Sequence, residues 1–293
     1  MKHKTEPKIF QFFIGEKTKN KVENIILNIS IFGFILHLIL IYLYKYDVLK
    51  INDYYNLLSN PISAIYTPFS FILIYEIYQL IYYLPRSIST YISKQYEIIT
   101  LIIVRRIFKD ISNINIENNI LANKLNENLF IDLIAALILF FLIYLFRISS
   151  KKQYDNLQHN TKLLRFINVK KWLSTLLVPI LIVLASYHFY SWSSDFFYMN
   201  DKTHIKSLNN IFFDELFQLL ILVDVFLLLF SFFNSDFFHN IMRNSGFIIS
   251  TILIRVSFLT EGLDNVILII ISVLFGLCIQ LIFNGFNKKN LFN

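Results

Sequence analysis

Long uninterrupted apolar runs constrain this chain more than any other feature. They come in blocks of about 20 residues, the length at which a helix crosses a ~30 Å hydrocarbon core. Backbone polar groups in lipid must be satisfied within their own segment, so such runs are helices; a β-barrel would instead alternate polar and apolar residues over short strands. The expected fold class is all-α, a polytopic membrane protein. With 56% hydrophobic and 16% charged residues, the spans consume most of the 293 residues and leave no room for a soluble catalytic domain.

Eight spans are expected, at roughly 25–46, 64–84, 95–110, 128–147, 171–193, 212–233, 245–260 and 264–285. The third and seventh are at the lower limit of length; as re-entrant or amphipathic segments they would leave six full spans. The chain then divides into a basic tail with an interfacial helix (1–24), a first four-helix repeat (25–147), a basic linker (148–170), a second four-helix repeat (171–285) and a C-terminal tail (286–293). In the first tail, IFQFFIG places phenylalanines for the membrane interface and lysines for anionic headgroups. The first span is read as uncleaved, because no small-residue cleavage site follows it.

Orientation follows from basic residues. The N-terminal tail, the 148–170 linker, the C-terminus (Lys288, Lys289) and the connections holding Arg86, Lys94 and Arg243 all fall on one side if the spans number eight. That side is assigned to the cytoplasm, with both termini in it, and the protein to the cell membrane (the inner membrane of a two-membrane cell). The opposite connections are mixed or acidic. The net charge of +7 is therefore a topological signal and not a sign of nucleic-acid binding. Cys278 is the single cysteine, so no internal disulfide can form.

Two stretches nearly repeat each other. EIITLIIVRRIF at 97–108 aligns without gaps on FIISTILIRVSF at 247–258, placing Arg105 on Arg255. Upstream of each lies an apolar segment with a carboxylate near its middle: Glu76 in FILIYEIYQLIYYL and Asp224 in LLILVDVFLLLFSFF. Ionised groups within a membrane-length segment are expensive, about 2.5–3.5 kcal/mol on insertion scales, and pairing offsets that cost. Counted from the basic side, Glu76 and Arg105 fall at similar depth, and so do Asp224 and Arg255. Opposed pairs on neighbouring helices are expected. They serve either as structural clips holding helix register or as proton- or cation-binding carboxylates (Glu76, Asp224) with arginine counter-charges (Arg105, Arg255).

Histidine adds a further coincidence. His37 and His188 lie on corresponding spans, so each half offers histidine, carboxylate and arginine on its first three helices. His37 is the better relay candidate, since His188 sits among SYHFYSWSS, where interfacial residues gather. Ser30, Gly33 and His37 share one helical face; so do Glu76, Gln79 and Tyr83, and Thr251 with Arg255. Span eight carries Ser272, Gly276, Gln280 and Asn284 at four-residue intervals, a stripe that reads as helix packing or as a pore lining with Gln280 as a relay or ligand. Asp132, Ala135 and Ala136 at the start of span four read as packing.

No cofactor or metal is expected. A distant alternative is a haem-binding electron-transfer membrane protein; a b-type haem held by His37 and His188 needs both rings facing each other at one depth, and nothing in the spacing sets that. A P-loop, a glycine-rich nucleotide fingerprint, HExxH and Cys/His zinc spacing are missing from the sequence. An enzyme acting on lipids has no visible nucleophile–base pair behind it, and no enzymatic activity is expected.

The run FILIYEIYQLIYYLPRSISTYISKQYEIITLIIVRRIF resembles helices two and three of the voltage-sensor-like four-helix domains of the ion-transport superfamily. Glu76 stands at the second-helix acid and Arg86 in the basic inner turn. The fourth span departs from that family: FIDLIAALILFFLIYLFRI bears only Arg147, and span eight bears no arginine. The resemblance implies two tandem four-helix bundles with a role in moving ions or protons. The alternative is a non-catalytic subunit of a membrane complex, or a homo-oligomer, with purely structural ion pairs. The bilayer is the expected partner in every case.

Overall fold

The computed structural model describes residues 8–48, 58, 61–112, 124–151, 161–198, 208–234, 238–257, 260 and 262–289. Every regular element among them is helical: α1 (Lys8–Ile14), α2 (Glu16–Lys45), a 3-10 turn (Pro61–Ile65), α3 (Tyr66–Tyr83), α4 (Ile88–Ser112), α5 (Lys124–Lys151), α6 (Thr161–Tyr198), α7 (Leu208–Asn234), α8 (Phe238–Ser257) and α9 (Leu263–Lys289). The termini follow ordinary helix electrostatics. Glu16, Glu127 and Asp264 sit in first turns, and Lys45 in a last turn, where each complements the helix dipole. Gly262 supplies the left-handed backbone (φ 65°) that leads into α9, a conformation glycine adopts without steric penalty.

Five stretches among the described residues are long and apolar enough to cross a membrane: Ile9–Lys45, Pro61–Tyr83, Glu127–Ser150, Phe166–Tyr187 and Leu263–Phe286. This is an all-α membrane protein. On α5 one face buries Ala135, Leu139, Ile143 and Phe146, while Leu137, Phe140 and Phe141 stand exposed on the other. An apolar outer face of that extent belongs against lipid, because soluble monomers rarely expose it. α7 contributes a shorter apolar stretch, Phe217–Phe232. The run 95–110 lies within a longer helix, α4 of 25 residues, and residues 245–257 form the later part of α8, of 20 residues.

Neighbours in the chain pack in order: α2 on α3, α3 on α4, α4 on α5, then α6 on α7, α7 on α8 and α8 on α9. Packing does not stop at the boundary between halves. α5 lies along α9, α4 touches α8, and α6 touches both α3 and α1. One apolar cluster joins Ile77 and Ile99 of the first half to Leu220 and Ile269 of the second. The halves therefore share one core instead of each closing a core of its own. The sequence pattern does not carry this, because an apolar face is equally satisfied by a helix of either half.

The centre of that core is aromatic and tightly keyed. The Tyr96 ring stacks edge-on against Phe146 at 5.1 Å, and Phe146 against Phe247 at 5.6 Å. Ser250 donates its hydroxyl proton to the Ser272 carbonyl (2.6 Å), so Tyr96 is the donor in its 2.7 Å bond to Ser250. The phenol fits only because α9 has glycine opposite it: a Cβ on Gly276 would stand 1.8 Å from the Tyr96 hydroxyl oxygen. Gly276→Ala is expected to destabilise the protein by about 1–3 kcal/mol through overpacking, and Tyr96→Phe in that background to restore part of the loss. Chemical unfolding of wild type and the two variants in detergent measures this; Gly276→Ala as stable as wild type would show that the contact has no weight.

Candidate functional site

The buried charges in the interior lie at helix crossings. Asp224, in the middle of α7, and Arg255, in the last turn of α8, are 2% and 3% exposed in their side chains, with Arg255 Nη1 2.9 Å from Asp224 Oδ2. The contact is one of charge and not of a straight hydrogen bond: neither Nη1 nor Nη2 has an aligned acceptor. The other carboxylate oxygen accepts from the Tyr91 hydroxyl at 3.0 Å. Thr251, one turn before Arg255, sits 3.4 Å from Oδ2 while its hydroxyl donates to the Ile248 carbonyl. Asp224 thus has neighbours on both of its oxygens, and Tyr91 brings α4 of the first half onto α7 of the second.

The corresponding pair in the first half is looser. Arg105 Nη1 lies 3.8 Å from Glu76 Oε2 and donates to the Phe69 carbonyl at 3.3 Å. Glu76 is buried, and its Oε2 is enclosed without a hydrogen-bond partner. Two carboxylates that read alike in sequence therefore meet different surroundings. The difference lies in α4 and α8: Tyr91 reaches across to Asp224, whereas among the described residues no hydroxyl meets Glu76 Oε2.

A third pair was not legible as one. Arg106, next to Arg105, grips Asp132 of α5 with both arms of its guanidinium, through Nε and, at 2.5 Å, through Nη2. Its remaining arm donates to Asn265 of α9 at 2.9 Å, and Asn265 in turn donates to the Ser257 carbonyl at 2.6 Å. Asp132 reads as a packing residue in sequence because nothing repeats it: position 256, which aligns with Arg106, is Val256. The available signal was depth, since Arg106 lies six residues before the end of α4 and Asp132 eight residues after the start of α5.

His37 on α2 meets Thr67 at 2.6 Å. Thr67 is nine residues before Glu76 on α3, about 13 Å along the axis, so the histidine and the carboxylate of the first half are not brought into contact. Gly33 on the same face as His37 lets Thr67 and Phe71 approach closely, so this stripe joins α2 to α3. His188 is carried by α6, and its side chain lies outside the described residues. Gln280 is wholly buried: its Nε2 donates to Asn284, its Oε1 is without a partner, and Asn284 donates onward to Ser149 of α5 at 2.8 and 2.9 Å. Three members of the stripe, Ser272, Gly276 and Asn284, thus meet α8, α4 and α5, while Gln280 bonds within α9.

Removing one member of a buried pair leaves an uncompensated charge, at a cost of about 3–5 kcal/mol. Arg255→Leu is expected to lose stability in that range, Arg105→Leu to lose less, and Asp224→Asn to recover most of the loss when combined with Arg255→Leu. Unfolding free energies in one detergent decide the matter, and equal losses at Arg105 and Arg255 would refute the contrast between the halves. No family model matches the chain, and it matches no curated protein and no solved structure.

Proposed function

We propose that the protein moves protons or small cations across the membrane, with Glu76 as the exchanging group and Arg105 as its counter-charge. The observation that carries this reading is the buried Glu76 Oε2, without a hydrogen-bond partner and 3.8 Å from the nearest arginine nitrogen. A carboxylate held that loosely can take up a proton or a cation without first breaking a network. Intramembrane carboxylates of this kind mark ion and proton pathways. His37, paired to Thr67, is the relay on the outer side of Glu76 in this scheme. Asp224 is the equivalent group of the second half, with Arg255 opposite it.

On this reading α2–α9 all cross the bilayer, as two duplicated four-helix units of one orientation, with both termini cytoplasmic. α8 can do so despite its polar residues. Asn244, Ser250, Thr251 and Arg255 are buried against other helices, and Met242, Ile249 and Val256 face outward. The voltage-sensor likeness of 71–108 belongs to the same proposal, and with it the idea that each unit once closed as its own bundle.

A second reading, a non-catalytic subunit that assembles with other membrane proteins or with copies of itself, draws on Asp224. Both of its oxygens are engaged by α4 and α8, as a structural clip requires. Proton and cation flux into liposomes separates the two. Wild type is expected to conduct, Glu76→Gln to fold and lose flux, and Asp224→Asn to lose mainly stability. A wild type without flux, alongside a Glu76→Gln variant that fails to fold, would overturn transport in favour of the structural role.

A further inference from the structure

Positive charge is left over at one end of the second half. Lys170, near the start of the apolar stretch of α6, is only 3% exposed. Its ammonium donates to the Arg86 carbonyl at 3.2 Å, in the turn between α3 and α4, and lies over the Phe166 ring at 4.9 Å. An ammonium has three donors, and one oxygen meets it here. Arg243, in α8, lies over the Phe283 ring at 4.3 Å, and its hydrogen bonds go to the amide oxygen of the adjacent Asn244, at 3.2 and 3.3 Å.

These groups flank one stretch of α7: Phe166, beneath Lys170, stacks on Phe230 at 6.4 Å, and the next residue, Ser231, accepts from Asn244, the neighbour of Arg243, at 2.8 Å. Lys170 is within electrostatic reach of Arg243, which repels it, and of Asp224, which attracts it. Asp224 is already engaged by Arg255, Tyr91 and Thr251. Arg255 therefore takes the ion-pair place at Asp224, and among the described residues no carboxylate lies at ion-pair distance from Lys170 or Arg243. Arg86 adds a further charge at the same turn, its guanidinium directed to the Tyr82 hydroxyl at 3.0 Å. The first half is different: Lys19 meets Glu23 at 3.8 Å, and Glu97 meets Lys94 at 2.6 Å and Arg147 at 3.3 Å. Buried charges are normally paired or ligated, so the unbalanced end calls for an anion.

We propose that Lys170 and Arg243, on either side of α7, form a binding site for a phosphate group, with Arg86 of the adjoining α3–α4 turn adding its charge beside Lys170. Phosphate suits it chemically: its oxygens accept from the free ammonium donors and from the planar guanidinium fork at once. Two sources share that chemistry, the headgroup of an anionic lipid and free inorganic phosphate. Basic clusters among transmembrane helices at headgroup depth favour the lipid. Trp172, 68% exposed two residues beyond Lys170, is the kind of side chain that anchors at that depth.

The test uses the full chain in a neutral detergent, with thermal stability read while phosphatidylglycerol, phosphatidylcholine or inorganic phosphate is titrated in. Wild type is expected to rise in Tm with phosphatidylglycerol and not with phosphatidylcholine, at concentrations where Arg243→Gln needs about tenfold more lipid for the same shift. Lys170→Gln should behave likewise, and Lys94→Gln, in the compensated half, should respond as wild type. If inorganic phosphate alone reproduces the shift, and Arg243→Gln weakens it, the site stands with a soluble anion as its ligand. No shift with either anion, or an Arg243→Gln response equal to that of wild type, overturns the site. Should Lys170→Gln fail to fold through loss of its bond to the Arg86 carbonyl, Arg243→Gln alone decides.

Discussion

The contact on which the two halves most depend is the one that closes around Asp224. A carboxylate in the middle of an apolar helix is tolerable only if other helices bring it a cation and donors. Arg255 and Thr251 come from α8 and Tyr91 from α4, on the far side of the chain's midpoint. One charge thus fixes the placement of three helices. The Tyr96–Ser250–Ser272 chain repeats the tie between α4 and α8 and extends it to α9, and Arg106 completes it by joining Asp132 of α5 to Asn265 of α9. In lipid, where apolar burial gives little preference for one helix neighbour over another, such polar contacts and close glycine packing are what select the arrangement.

The two halves use related residues to different ends. Around Asp224 the polar groups converge; around Glu76 they do not, and Arg105 divides its attention with the Phe69 carbonyl. The opposite imbalance holds at the basic end, where Glu23 and Glu97 compensate Lys19, Lys94 and Arg147 of the first half while Lys170 and Arg243 are left with a backbone carbonyl, aromatic rings and a neighbouring amide. A loosely held carboxylate in one half and surplus cation in the other are distinct chemical opportunities, one for a proton or cation and one for an anion.

Much of this was readable from residues alone. Continuous apolar runs forced helices. Glu76, Arg105, Asp224 and Arg255 stood out because charge is rare in such runs, and their depths put the right partners on neighbouring helices. Thr251 could be assigned to the face of Arg255 by helical spacing. The Arg106–Asp132 pair escaped, because it lacks a repeated counterpart and Asp132 stands at the start of the apolar run, where a carboxylate draws no notice. Tyr91 escaped for another reason: nothing local distinguishes a tyrosine that reaches another half of the chain from one that anchors at an interface.

The sequence by itself determined that this is an all-helical membrane protein and which charged residues could not be left facing lipid. Those are consequences of solvation, and solvation is decided residue by residue. Only the tertiary structure decided which partners those charges found. It showed that Asp224, and not Glu76 Oε2, receives a hydrogen bond from another helix, that α5 lies along α9, and that Gly276 exists to admit Tyr96. Helix–helix selection in an apolar solvent rests on a few long-range polar contacts and close steric fits. The residues making them are more than a hundred positions apart in the chain, as with Tyr91 and Asp224, so no local pattern could contain them.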